Sequence, residues 1–311
     1  MNNIPKKFPT KVADRSLAAM DSLFTPIIQL EMEFDYSLDE QRLAKAVALT
    51  MDADPILGCR FFPRMIRPYW ERVEKEKYSI FIITKNKNEY EAFKKKGIEF
   101  ISEPQIFTCL YRSESKDRLA LKVSHLVSDA AGVKDIAAIL SKIYNRLEYE
   151  PDYHPNPNPC DFRSFWQIVR HVPWYVHPRI ILNYMHEVTN SLIPYRTHGV
   201  PIKNTSENAD KYIIRHIEKE ALTHMVNYAK KRDATINDVL LTAIFRALSK
   251  IGEWDGKAAL RIAMTIDLRR YLPKRKAESA SNFSSIEMLT YGTIMEDDFE
   301  STLDRVVQMV N

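Results

Sequence analysis

The chain has 311 residues, of which 45% are hydrophobic and 28% charged, with a formal net charge of +4. This excludes a disordered polyelectrolyte and leaves ample apolar material for a core and for two lobes of ordinary domain size. The mildly positive balance lacks the dense basic footprint of a nucleic-acid binder, so no nucleic-acid partner is expected. Cys59, Cys109 and Cys160 are widely spaced and give neither a disulfide framework nor a zinc pattern. Residues 1–11 are polar and basic without a secretory signal. No apolar run approaches the roughly 20 residues that cross a bilayer, so the expected setting is cytoplasmic.

In chain order, Leu17, Met20, Leu23 and Phe24 mark a short helix over 14–24. Residues 26–35 then alternate as a strand. Ser37 and Glu40 have capping-box spacing before a helix that buries Leu43, Ala44, Val47, Ala48 and Met51 and stops at Asp54-Pro55. Extended pieces follow at 58–62 and 69–73, and 78–84 reads as a buried strand. A charged helix over 89–97 ends at a glycine. Residues 105–112 and 119–124 have the pattern of a hairpin, and a helix with apolar residues at three- and four-residue spacing runs over 133–147.

Four prolines (Pro151, Pro155, Pro157, Pro159) exclude regular structure between 150 and 161. Residues 162–195 are aromatic-rich and broken by Pro173 and Pro178, which predicts two helices. Beyond a loop over 197–208, the pattern predicts a strand at 212–218 and a helix at 220–232. Thr235 caps an apolar helix over 236–251 that ends at Gly252. Strands follow at 260–267 and 284–291, and a helix at 298–310. The expected organisation is an N-terminal lobe over 1–150, a Pro-rich and aromatic connection over 151–208, and a C-terminal lobe over 209–311.

The most informative stretch is Ser124-His125-Leu126-Val127-Ser128-Asp129-Ala130-Ala131-Gly132. It places a histidine where a strand runs out and an aspartate at a helix start. A histidine there can take a proton near neutral pH. Taken alone, His125 reads as a satisfied histidine at a strand end before it reads as a catalytic base, and Asp129 reads as a helix N-cap. His171, His177 and His186 share no metal spacing on one helix face, so no metal site is expected. Lys230-Lys231-Arg232 and Lys274-Arg275-Lys276 read either as solvated faces or as anion sites. Phe162, Phe165, Trp166, Trp174 and Tyr175 read as packing between lobes, as a channel lining or as a peripheral membrane contact.

The order of these pieces resembles the condensation domains and alcohol acetyltransferase-like members of the chloramphenicol acetyltransferase-like acyltransferase superfamily. His125-Leu126-Val127-Ser128-Asp129 is similar to its His-x-x-x-Asp motif, and Asp54-Pro55-Ile56-Leu57-Gly58-Cys59-Arg60 to its early proline-leucine-arginine turn. Thr235-Ile236-Asn237-Asp238, Ile266-Asp267-Leu268-Arg269 and Ser281-Asn282-Phe283 match later motifs in family order.

The resemblance implies an α/β architecture of two lobes with mixed sheets and a tunnel between them. It implies His125 as general base, with Asp129 paired to Arg269 in a structural role. Ser124, Gly132, Thr235, Asn237 and Asn282 become candidates along the substrate tunnel. The implied activity is transfer of an acyl group from coenzyme A or a carrier-protein phosphopantetheine thioester to a small alcohol or amine acceptor. No tightly bound cofactor is implied, and an acyl carrier protein is an implied partner. The alternative is a catalytically inactive, acyltransferase-like binding or partner module. The chain departs from the family pattern at Ser124, where many members have a paired histidine, and at Ala130, where the glycine after the aspartate usually stands. The later strands and Asp-Phe-Gly-like motif of the family have no counterpart after Asn282, which gives the expectation of a small or truncated C-terminal lobe.

Overall fold

The structure is a computed structural model that describes residues 4–20, 27–113, 116–159, 163–191, 197–199, 214–296 and 298–310. The chain divides into two compact units. One comprises Met1–Val176 with Asp267–Ser284, the other His177–Ile266 with Ser285–Asn311.

The first unit carries strands Lys7–Pro9 (β1), Ile27–Phe34 (β2), Cys59–Phe62 (β3), Tyr69–Arg72 (β4), Phe81–Thr84 (β5), Ile106–Arg112 (β6) and Asp117–Ser124 (β7). Its helices are Val12–Ala19 (α1), Glu40–Ala53 (α2), Lys87–Lys95 (α3), Ala130–Tyr149 (α4) and Trp166–Val169 (α5). The main sheet has the order β2-β7-β6-β5. Strand β7 pairs antiparallel with β2 and β6, while β5 joins β6 in parallel. A smaller sheet runs β1-β4-β3.

Strand β7 explains why the unit has two packed faces. Leu119, Leu121 and Val123 enter the larger core with Leu43 and Val47 of α2 and Val133 and Ile136 of α4. Ala120 points the other way, into a cluster with Tyr90 and Phe93 of α3 and Cys109 of β6. A strand covered on both faces loses the polar half of its alternation, which is why 119–123 is nearly continuous in apolar character. The one charge in that run, Lys122, is buried. Its ammonium donates to the Phe93 and Lys96 carbonyls at 2.6 and 2.7 Å, satisfying the C-terminal end of α3.

The second unit comprises helices His177–Ser191 (α6), Lys219–Lys230 (α7), Ile236–Ile251 (α8) and Phe299–Val310 (α9), with strands Leu260–Asp267 (β8) and Ser284–Gly292 (β9) paired as a two-stranded sheet. Leu241, Phe245, Leu260, Leu289, Tyr291 and Val306 form its core.

Several expectations change. The cap of α2 is Asp39, whose carboxylate accepts from the Arg42 amide at 2.8 Å, and not Ser37. The Leu38 amide donates instead to Asp117 Oδ2 at 2.7 Å, and the helix starts two residues later, at Glu40. Helix α1 ends at Ala19, and Leu23 and Phe24 lie outside the described residues. The strand expected at 78–84 begins only at Phe81. It is an edge strand paired with β6 alone, so Ile82 and Ile83 are 40% and 39% exposed. Helix α3 ends on Lys96, one residue before the glycine expected to stop it. Of the strand expected at 212–218, residues 212–213 lie outside the described residues and 214–218 are exposed coil without a partner strand. No helix among the described residues is long and apolar enough to cross a membrane.

Candidate functional site

Strand β7 stops at Ser124 because the chain turns sharply there. The Val127 amide donates to the Ser124 carbonyl at 3.1 Å, and the buried Ser124 hydroxyl accepts from the Leu126 amide at 3.3 Å. His125 is the second residue of this turn and is half-buried. The turn ends on Asp129, which caps α4 by accepting from the Gly132 amide at 2.8 Å. The strand end and the helix start thus hold the histidine from both sides.

The ring of His125 is oriented by Asn282. The Asn282 amide nitrogen donates to the carbonyls of His125 and Leu126 at 2.7 and 3.1 Å. That leaves its carbonyl oxygen 3.1 Å from His125 Nδ1, and the Ser128 carbonyl lies 3.1 Å from the same nitrogen. Neither oxygen can donate, so the neutral ring carries its proton on Nδ1 and its lone pair on Nε2.

Asp129 is 1% exposed and Arg269 3%. Arg269 Nη1 lies 2.8 Å from Asp129 Oδ2, and Nη2 donates to the Ser281 carbonyl at 2.9 Å. The same Oδ2 accepts from the Phe283 amide at 2.7 Å and the Ser284 hydroxyl at 3.1 Å. Burial pushes the Asp129 carboxyl up. The Arg269 guanidinium and the amides of Gly132 and Phe283 outweigh it and hold the carboxyl below its ordinary range. Arg269 is itself positioned by Asp267, which accepts from its backbone amide at 3.0 Å.

Gly132 is explained by space. A Cβ there would lie 2.2 Å from Ser128 Oγ and 3.1 Å from Arg269 Nη2. Ala130, by contrast, is exposed at the start of α4, and its φ is not positive, so alanine is unstrained there. The requirement for glycine falls two residues later than the family pattern suggests.

Of the residues singled out from sequence, Ser124, His125, Asp129, Gly132, Arg269 and Asn282 all belong to the first unit. Thr235 and Asn237 belong to the second. Thr235 caps α8 through a reciprocal pair with Asp238, and the Asn237 amide contacts Met264 Sδ at 3.4 Å.

Sequence reasoning missed a second buried ion pair. Arg163 Nη2 lies 2.9 Å from Asp14 Oδ1, and Trp70 Nε1 donates to Asp14 Oδ2 at 2.7 Å. Arg163 also donates to the Ala280 and Val127 carbonyls at 2.8 and 3.4 Å, so it ties the 279–284 segment to the histidine turn. The only signal was a lone arginine in an aromatic stretch. Among the described residues, no group of three or more His, Cys, Asp or Glu side chains could hold a metal ion.

No family model matches this chain, and no curated protein matches it. Solved structures do. The first condensation domain of the calcium-dependent antibiotic synthetase, in complex with a substrate analogue, superposes with a TM-score of 0.72 at 14% identity over 98% of this chain and 74% of its own. Polyketide synthase associated protein 5 from Mycobacterium tuberculosis gives 0.67 at 11% identity over 97% and 72%. The starter condensation domain of rhizomide synthetase, solved in complex with C8-CoA, gives 0.67 at 11% identity over 98% and 71%. The fold is therefore that of condensation domains, the chloramphenicol acetyltransferase-like fold expected from the sequence.

Proposed function

We propose that the chain is an acyltransferase that moves an acyl group from a thioester to a hydroxyl or amine, with His125 as general base. The observation that carries this reading is the pair of carbonyl oxygens on His125 Nδ1, which leaves a basic lone pair on Nε2. In the step we envisage, Nε2 takes the proton of the acceptor O–H or N–H as the acceptor attacks the thioester carbonyl. The C–S bond breaks, and the proton passes to the departing thiolate. The products are an ester or amide and a free thiol.

Asp129 and Arg269 are positioning residues, because their bonds run to the turn and to the 281–284 segment. Acyl-CoA or acyl-phosphopantetheine serves as co-substrate without a tightly bound cofactor, an acyl carrier protein is the proposed donor partner, and the setting is cytoplasmic. The condensation domain solved with C8-CoA supports a medium-chain acyl-CoA as the first donor to try.

The test is release of free thiol from octanoyl-CoA with a panel of small alcohols and amines. His125→Ala is expected to lower the acceptor-dependent rate by roughly 100- to 10,000-fold, the usual contribution of a positioned base. Equal rates in the variant would remove His125 from the chemistry. Absence of transfer by the wild type with every donor and carrier tried would favour a non-catalytic binding module.

A further inference from the structure

The β3–β4 hairpin ends in a loop that the histidine site does not use. Phe62, the last residue of β3, faces Tyr69, the first of β4, and the loop between them reads Pro63-Arg64-Met65-Ile66-Arg67-Pro68. Two apolar side chains stand at its centre, with an arginine on either side and a proline outside each arginine. Met65 stands fully in solvent and Ile66 is 82% exposed. Single exposed apolar residues are ordinary, but an adjacent pair at the end of a braced arm is an apolar patch in search of a medium.

The arm is braced from three sides. The rings of Phe62 and Tyr69 stack with centroids 4.9 Å apart and planes 16° from parallel. The Arg64 guanidinium lies over both rings, at 5.7 and 5.3 Å, and the Lys7 ammonium of β1 covers Tyr69 at 4.8 Å. Pro63 and Pro68 fix their own φ and hold the residues before them, Phe62 and Arg67, extended. On β1, Pro9 faces Tyr69, and the Thr10 hydroxyl donates to the Pro68 carbonyl at 3.0 Å. The loop therefore presents its apolar pair at little ordering cost.

The charge around the tip has one sign. No Asp or Glu stands between Asp54 and Glu71. Glu71 is itself engaged, 2.7 Å from Arg60 Nη2 and 3.9 Å from Lys7 Nζ. Among the described residues, no carboxylate pairs with Arg64 or Arg67.

We propose that the β3–β4 hairpin docks the protein on an anionic lipid surface, with Met65 and Ile66 entering the acyl boundary and Arg64 and Arg67 at the headgroup phosphates. Arginine can lay its stem along apolar surface while its guanidinium forks onto a phosphate. The stacked Phe62 and Tyr69 suit the interfacial layer, where aromatic rings concentrate. A lipid surface takes a convex tip without a matching pocket. A protein partner would need far more area than two side chains on a two-stranded arm offer. The attachment is peripheral and reversible, because apolar burial and charge each contribute only a little.

The test sediments the purified full chain with vesicles of phosphatidylcholine alone and of phosphatidylcholine and phosphatidylserine in a two-to-one ratio. The expected result is saturable binding to the mixed vesicles, weaker by about fivefold or more on phosphatidylcholine alone and weakened by added salt. Met65→Ser combined with Ile66→Ser is expected to lower affinity for the mixed vesicles by about tenfold or more. Arg64→Gln combined with Arg67→Gln is expected to lower it by about tenfold or more and to reduce the salt dependence. All four side chains are exposed, so both variants should keep the wild-type far-ultraviolet spectrum and Tm. Absence of wild-type binding to the mixed vesicles would overturn the proposal, as would equal binding to the two vesicle types. Unchanged binding in the Met65→Ser, Ile66→Ser variant would overturn it by assigning attachment to another surface. A complex with an acidic acyl carrier protein that this variant loses, in the absence of vesicle binding, would also overturn it and assign the tip to a protein partner. None of these readouts depends on acyl transfer.

Discussion

Asn282 does with one side chain what the turn could not do alone. Its amide nitrogen occupies the carbonyls of His125 and Leu126, and its oxygen then has nowhere to face except His125 Nδ1. Asn282→Ala leaves two carbonyls beneath the histidine unpaired and frees the ring. The expected outcome is a loss of about 1–3 kcal/mol in stability by denaturant titration and a drop in transfer rate of tenfold or more. Asp129→Ala removes the partner of a buried guanidinium and should cost about 3–5 kcal/mol, read from the same titration. The pH dependence has a definite sign. Because the folded Asp129 carboxyl is held below its unfolded value, its contribution is present above about pH 4 and is lost as pH falls through the folded value. Asp129→Asn should flatten that part of the acid unfolding curve. An unchanged acid limb would contradict the assignment. The histidine, the aspartate and the arginine were legible as residues because their spacing follows a family motif. Asp14 and Arg163 were not, since a pair separated by 149 positions leaves no local trace.

At the scale of elements, the first turn of α4 is fixed by what surrounds it. Alanine is worth about 1 kcal/mol over glycine in a helix. At Gly132 that gain is opposed by a Cβ placed against Ser128 Oγ and Arg269 Nη2. We expect Gly132→Ala to lose about 1–2 kcal/mol net, with part recovered in the Ser128→Ala background, whereas Ala130→Gly should change little beyond helix propensity. Strand β7 gives a second case. Burial draws the Lys122 ammonium down to about 8. Between that value and about 10.4 the unfolded chain binds the extra proton, so wild-type stability should rise with pH across the window. Lys122→Met should lack that rise while also losing the carbonyl bonds that end α3. Identical pH slopes in the two proteins would overturn the account. Helix α8 was legible at its first residue because the Thr235 cap marks its start, whereas α4, expected from Val133, begins three residues earlier at Ala130, directly after its Asp129 cap. The strand expected at 78–84 was misjudged because periodicity reports apolar character and not which neighbour pairs with it.

At the scale of the whole molecule, the chain returns to its first unit late. Residues Asp267–Ser284 supply Arg269, Asn282 and the Phe283 amide to a turn more than 130 positions earlier in sequence. A fragment ending at Val176 keeps the main sheet but leaves Asp129 buried without its arginine. We expect such a fragment to lack a cooperative near-ultraviolet unfolding transition. A sharp transition equal to that of the full chain would show that the late segment is dispensable. The fold class was legible in the sequence through motif order, while the inclusion of 267–284 in the first unit was not, because it depends on hydrogen bonds between distant residues.

The two oxygens on His125 Nδ1 fix the neutral ring with its proton on Nδ1 and its lone pair on Nε2. Nitrogen-15 NMR of the histidine ring, assigned with His125→Ala, measures this directly. The expected result is a protonated-type shift at Nδ1 and an unprotonated-type shift at Nε2 at a pH where the ring is neutral, with the preference lost in Asn282→Ala. A proton on Nε2 in the wild-type protein would contradict it.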